Sequence, residues 1–305
     1  EGVVKEMRLE VWGEAQTRFM KLESDEINLH IAEAKVKMAL CKIMLRNFEE
    51  AVQYLSESLS IFADDDQIYF YKGIASDSLN DYQTAVICYT KSIEIIKQKL
   101  VKKSISTRNC DSLKCIYVVR LGNTQLSMFD YVSAKESYTQ AIKLNPKRAE
   151  LYLTRANICL QSNELNEALA DLEICATLNL KTYSYYYTKA RVLKKAGQFN
   201  LAIETLSQIV KKDTAFHAIL LKGQCLESIG NFMEAQITYK EANKNVPLDK
   251  KKEMEAALKR IRNRVYELNR DTDPPLFSIA SPSLNKKKKI MVPKSYQFVE
   301  IKGKV

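Results

Sequence analysis

The chain has 305 residues, 46% hydrophobic and 28% charged, the balance of an ordinary folded protein in water. Eight glycines and six prolines are too few for an all-β chain, which needs turn residues every few positions, so long helices with short connections are expected. The net charge is +10, but residues 249–305 hold 15 Lys and Arg against 7 Asp and Glu, which leaves only +2 on residues 1–248.

Residues 3–22 (VVKEMRLEVWGEAQTRFMKL) have helical periodicity. They read as an N-terminal capping helix or half of a repeat within a first segment, 1–31. No basic stretch followed by an apolar run opens the chain, so no secretory leader is expected.

From residue 32 a period sets in. Small residues recur at Ala39, Gly73, Gly122, Ala156, Ala190 and Gly223, and a second small series follows each by 12 positions: Ala51, Ala85, Ala134, Ala168, Ala202 and Ala235. A large residue comes four positions later (Leu55, Tyr89, Tyr138, Leu172, Leu206, Tyr239), and another stands three before (Phe48, Tyr82, Tyr131, Leu165, Phe199, Phe232). Small residues let two helices approach, and large ones at these spacings fill the groove beside them. The spacing gives six units of two helices each: 32–65, 66–99, 115–148, 149–182, 183–215 and 216–248. The first two form a segment 32–99 and the last four a segment 115–248. Turn pieces such as RNFEEA and SNELNEA place Asn, Asp or Gly before each second helix, as capping requires.

Residues 100–114 interrupt the register after the second unit. This basic insertion extends a helix or forms a surface loop, and the break reads as a joint. Residues 249–270 read as an amphipathic capping helix, with Met254, Leu258, Ile261, Val265 and Leu268 on one side. The tail, 271–305, holds four of the six prolines and the run Lys286, Lys287, Lys288, Lys289, a composition expected to lack structure alone. It has three readings: a solvated linker, a site for an acidic partner such as tubulin tails or nucleic acid, or a nuclear import signal.

The 34-residue period, with a small residue in the first helix, A-x-x-x-Y in the second and N-P at the close, resembles the tetratricopeptide repeat. Residues 121–146 (LGNTQLSMFDYVSAKESYTQAIKLNP) match best. The resemblance covers about two thirds of the chain. It implies an all-α, right-handed superhelical solenoid of antiparallel helix pairs, six repeats plus capping helices. The first helix of each pair would line the concave face with its residues 2, 5, 6, 9, 12 and 13. One version of the family, the carboxylate clamp of co-chaperones, carries Lys, Asn, Asn, Lys and Arg at residues 5 and 9 of three successive repeats. Here Asn123, Asn157 and Arg191 match, while both lysine positions fail, at Val119 and Tyr187. The looser expectation is an inner strip of Arg120, Asn123, Asn157, Tyr187, Arg191 and Lys194 that takes an extended or acidic segment. Of Tyr183, Tyr185, Tyr186 and Tyr187, two are expected in the core.

Chemistry is scarce. There is no GxGxxG, GxxxxGK[ST] or GxSxG, and His30 and His217 lie apart from any ligand-spaced cluster. Asp64–Asp66 reads as acid at a helix start, and Arg155 is expected to pair with Asp171. Seven cysteines without a CxxC fit a reducing compartment. No catalytic residue, metal or cofactor is expected. The chain reads as a non-enzymatic scaffold or adaptor in the cytoplasm that binds proteins, with nucleic acid ranked well below them. Two alternatives stay open: a structural component of a large assembly such as a ciliary axoneme or microtubule-motor complex, with a cytoskeletal or ciliary address, and a co-chaperone with an incomplete clamp.

Overall fold

A computed structural model describes residues 26–209, 216–243 and 250–272. The segment 3–22 and the lysine run 286–289 lie outside these. The described residues are helical, without strands: α1 over 26–44, then α2 (Phe48–Leu59), α3 (Asp66–Ser78), α4 (Tyr82–Val101), α5 (Thr107–Ser127), α6 (Tyr131–Leu144), α7 (Ala149–Gln161), α8 (Leu165–Thr177), α9 (Tyr183–Lys195), α10 (Phe199–Ser207), α11 (Phe216–Ser228), α12 (Phe232–Ala242) and α13 (Lys251–Thr272). None is long and apolar enough to cross a membrane.

Both small-residue series are buried in every unit, and so is the large residue that follows the second. Burying each large side chain contributes about 1.5–3 kcal/mol. Volumes are matched within each unit. Where the first small residue is glycine, the large one is tyrosine; where it is alanine, the large one is leucine. A Cβ on Gly73 would lie 2.7 Å from a ring carbon of Tyr89, and one on Gly122 would lie 3.0 Å from Tyr138; Gly223 is pressed by Tyr239 in the same way. The ring occupies the volume that alanine's methyl and a leucine share in the other units.

The turn inside each unit is also fixed. Seven residues after the first small residue the backbone enters the left-handed region: Arg46, Asn80, Phe129, Asn163, Gly197 and Gly230. This closes the first helix. Asn47, Asp81, Asp130 and Asn231 then cap the second helix with their side chains. At Asp81 and Asp130, hydrogen bonds from Thr84 and Ser133 hold the carboxyl below its usual range.

Each helix packs on its neighbours in sequence, and α9 also touches α7 and α11. The odd-numbered helices α7, α9 and α11 therefore approach one another and form an inner layer there. The insertion lengthens two helices: α4 has 20 residues and α5 has 21, against 13 in α3, α7, α9 and α11. The break is not a joint. Ile93 and Ile96 of α4 and Cys110 and Tyr117 of α5 belong to the same core cluster as Leu151 and Tyr185, so apolar packing runs through it. Asp66 is likewise not a solvated helix starter. It is 3% exposed and accepts hydrogen bonds from the Tyr117 hydroxyl (2.6 Å) and from Lys99, while Asp65 caps α3. On α13, Met254, Ala257 and Ile261 are buried against α12, Leu258 and Val265 are half-buried, and Leu268 is exposed.

Candidate functional site

The inner layer holds a cleft of about 470 Å³ between α7, α9 and α11. It is lined by Leu160 and Gln161, by Tyr187, Arg191, Lys194 and Lys195, and by Leu221 and Gln224. All belong to odd-numbered helices. Tyr187, Arg191 and Lys194 share one face of α9 because four- and three-residue spacing stacks side chains on a helix.

The local geometry orients these groups. Tyr187 stacks on Tyr183 with ring centroids 5.9 Å apart and planes 10° from parallel. Arg191 reaches over the Tyr187 ring, with Cζ 6.0 Å from its centroid. Lys194 donates to the Gln224 side chain, and Lys195 donates to the Leu160 carbonyl (2.9 Å) in the last turn of α7. No carboxylate among the described residues lies within 4.0 Å of Arg191, Lys194 or Lys195. Burial pushes the Tyr183 hydroxyl above its ordinary value. The other two tyrosines point away: Tyr185 is buried, Tyr186 is half-buried, and their rings meet edge to face at 5.1 Å.

The six residues expected on the inner strip do not converge. Tyr187, Arg191 and Lys194 line the cleft. Asn157 sits between α7 and α9, donating to the Leu153 carbonyl (3.0 Å) and accepting from Thr188 (3.2 Å). Asn123 is exposed on α5 and accepts from the Tyr138 hydroxyl. Arg120, also exposed, lies on α5 beside it, away from the cleft. Both asparagines are engaged in packing bonds within the solenoid. Val119 is half-buried against the core, where a lysine would be out of place. Gln161, Lys195 and Gln224 join the cleft without having been singled out. Their signal is in the register: residue 13 of α7 and of α9 and residue 9 of α11 are inward positions.

Elsewhere the polar groups satisfy one another. Arg155 pairs with Asp171 through two parallel bonds of 2.8 and 2.6 Å. Cys159, Glu164 and Glu167 lie close enough to suggest metal ligands, but the ammonium of Lys135 already bridges both glutamates. Burial pushes the Cys159 thiol up to about 11, so it stays protonated there. His217 is exposed beside Phe216, and His30 is exposed beside Glu33.

The fold and the cleft define a helical-repeat solenoid with an open, cationic inner face. The tetratricopeptide repeat family model matches residues 66–99, 117–148 and 183–211, each spanning one helix pair, so the chain carries tetratricopeptide repeats over these residues. The human DnaJ homolog subfamily C member 7 is 23% identical over 198 residues, 63% of this chain and 40% of that protein. Hsp70-Hsp90 organizing protein 1 of Glycine max is 30% identical over 122 residues, 39% of this chain and 21% of that protein. The chain thus spans less than half the length of these curated relatives. A tetratricopeptide repeat protein from Parabacteroides merdae superposes with a TM-score of 0.61 at 13% identity, over 79% of this chain and 89% of that one, which shows the shared fold. The class is that of protein-interaction scaffolds.

Proposed function

We propose that the chain holds an extended acidic segment of another protein in the cleft between α7, α9 and α11. One observation carries this reading: Arg191, Lys194 and Lys195 converge on the cleft with no carboxylate among the described residues to neutralise them. Cations elsewhere, such as Arg155 and Lys135, are paired within the chain. Carboxylates of a partner would complete the unpaired set, and Arg191, already laid over Tyr187, loses little freedom on binding. Leu160, Leu221 and the Tyr183–Tyr187 stack supply apolar area beside the charges. The cleft crosses three successive odd-numbered helices and is open, which suits an extended segment. No catalytic role is assigned to it.

An array of twelve-residue peptides of graded charge, probed with the wild type and with Arg191→Glu, tests this. Acidic peptides should be retained by the wild type and lost by the variant. Retention that ignores peptide charge would refute it.

A second reading is a co-chaperone with an incomplete carboxylate clamp, to which the name Hsp70-Hsp90 organizing protein 1 of one relative leads. Against it, Val119 and Tyr187 occupy the two lysine positions, and Asn123 and Asn157 are tied into packing. A peptide ending in Glu-Glu-Val-Asp that binds with a Kd below about 100 μM would establish this reading over the first. The axonemal and tubulin readings lean on the tail, outside the described residues, and the relatives add nothing to them.

A further inference from the structure

The three cations of the cleft stand across it in a fixed order. A helix turns about 100° per residue, so Lys195 stands about 40° to one side of Arg191 and Lys194 about 60° to the other. The contacts agree with this placing. Lys195 leans to α7 and donates to the Leu160 carbonyl at 2.9 Å, and Lys194 leans to α11 and donates to the Gln224 side chain. Arg191 lies between them, over the Tyr187 ring. The order across the cleft is therefore α7, Lys195, Arg191, Lys194, α11.

These anchors keep the charges apart. An ammonium has three N–H donors, and each lysine gives one to the neighbouring helix, which leaves two for a ligand. Arg191 is restrained by the stack of Tyr187 on Tyr183. The two ammonium groups lean to opposite sides of α9, and a helix with its side chains is about 10–12 Å across. A single small anion, such as one phosphate group, cannot touch both without breaking an anchor. An extended segment can. Its side chains on one face repeat every ~6.6 Å, so three of them at alternate positions span about 13 Å.

We propose, resting on the reading of this cleft as a site for an extended acidic segment, that the segment carries its acidic side chains at three alternate positions, i, i+2 and i+4. The middle carboxylate meets Arg191, and the outer two meet Lys195 on the α7 side and Lys194 on the α11 side. The residues between them point out of the open cleft and are not read. The ligand class is an alternating acidic strand, distinct from a contiguous acidic run and from a phosphorylated side chain.

Three labelled peptides of the same length and nearly the same charge test this by fluorescence anisotropy with the whole chain. One carries three glutamates at alternate positions, one carries them side by side, and one carries a phosphoserine and a single glutamate. The alternating peptide should bind about tenfold more tightly than either of the others. Lys195→Met and Lys194→Met should each weaken it. When the first or the last glutamate is changed to glutamine, the effect of one lysine change should vanish in one peptide and that of the other lysine in the other peptide. Equal affinity for the alternating and contiguous peptides, or preference for the phosphopeptide, would overturn the alternating register and leave the cleft as an anion-binding site. Binding of none of the three would overturn the reading of the cleft, and this inference with it.

Discussion

Two places in the solenoid handle charge in opposite ways. At the junction of α3, α4 and α5, the buried carboxylate of Asp66 is met by the Lys99 ammonium and the Tyr117 hydroxyl, and Phe70 packs on the Tyr117 ring at 4.6 Å. Every charge there has its partner inside the chain. Between α7, α9 and α11, three cations face a cleft and have no carboxylate partner among the described residues. The difference teaches where to look for function in a repeat protein. Charge that is closed internally holds units together, and charge left open awaits a ligand.

The largest expected effect breaks the closed side. Asp66→Ala strands the Tyr117 hydroxyl in the core and removes the counter-charge of Lys99, so it should cost about 3 kcal/mol of unfolding free energy. Arg191→Ala should cost less than about 0.5 kcal/mol. Urea melts of the two variants check the contrast.

The next effect is on binding. Arg191→Glu combined with Lys194→Glu should weaken an acidic peptide about hundredfold, or about 2.7 kcal/mol, whereas Arg120→Glu, away from the cleft, should change it little. Fluorescence anisotropy reads both. Raising the salt should weaken the wild-type complex and leave the thermal stability of the closed junction nearly unchanged.

A third effect is alkaline. Burial, reinforced by the neighbouring Asp66, holds the Tyr117 hydroxyl well above its ordinary value. A group whose folded value is raised contributes stability that is present below its unfolded value of about 10 and is lost as the pH rises above it. Stability should therefore fall on the alkaline side, and less steeply in Tyr117→Phe, as melting temperatures across that range would show.

The smallest effect is expected at the α5–α6 turn, between the two regions. Phe129 adopts a left-handed backbone (φ 59°) and is three-quarters exposed. Phe129→Gly should raise stability by about 0.5–1 kcal/mol, seen as a higher melting temperature with binding unchanged.

Much of the scaffold is legible in the sequence because its packing is periodic. The two small series and the large residue after them, from Ala39, Ala51 and Leu55 to Gly223, Ala235 and Tyr239, mark the buried positions directly. The pairing of glycine with tyrosine is visible too, although only the geometry shows that the ring fills the missing methyl's place. Asp66 could not be read locally. Its partners Lys99 and Tyr117 lie 33 and 51 residues away, brought together by the lengthened α4 and α5. The candidate site is legible in direction but not in distance. The register says that Arg120, Asn123 and Arg191 all face inward, yet it does not say that α5 stands apart from the cleft on α9. Asn157 looked available and is held by Leu153 and Thr188.

The most direct test of the cleft is where a bound peptide touches the chain. A photo-cross-linking residue is placed at Gln161, inside the cleft, or at Ile237, exposed on α12. A labelled acidic peptide should be captured at position 161 and not at position 237, and the Arg191→Glu change should abolish the capture. Equal capture at both positions, or capture at 161 that survives Arg191→Glu, would contradict the account.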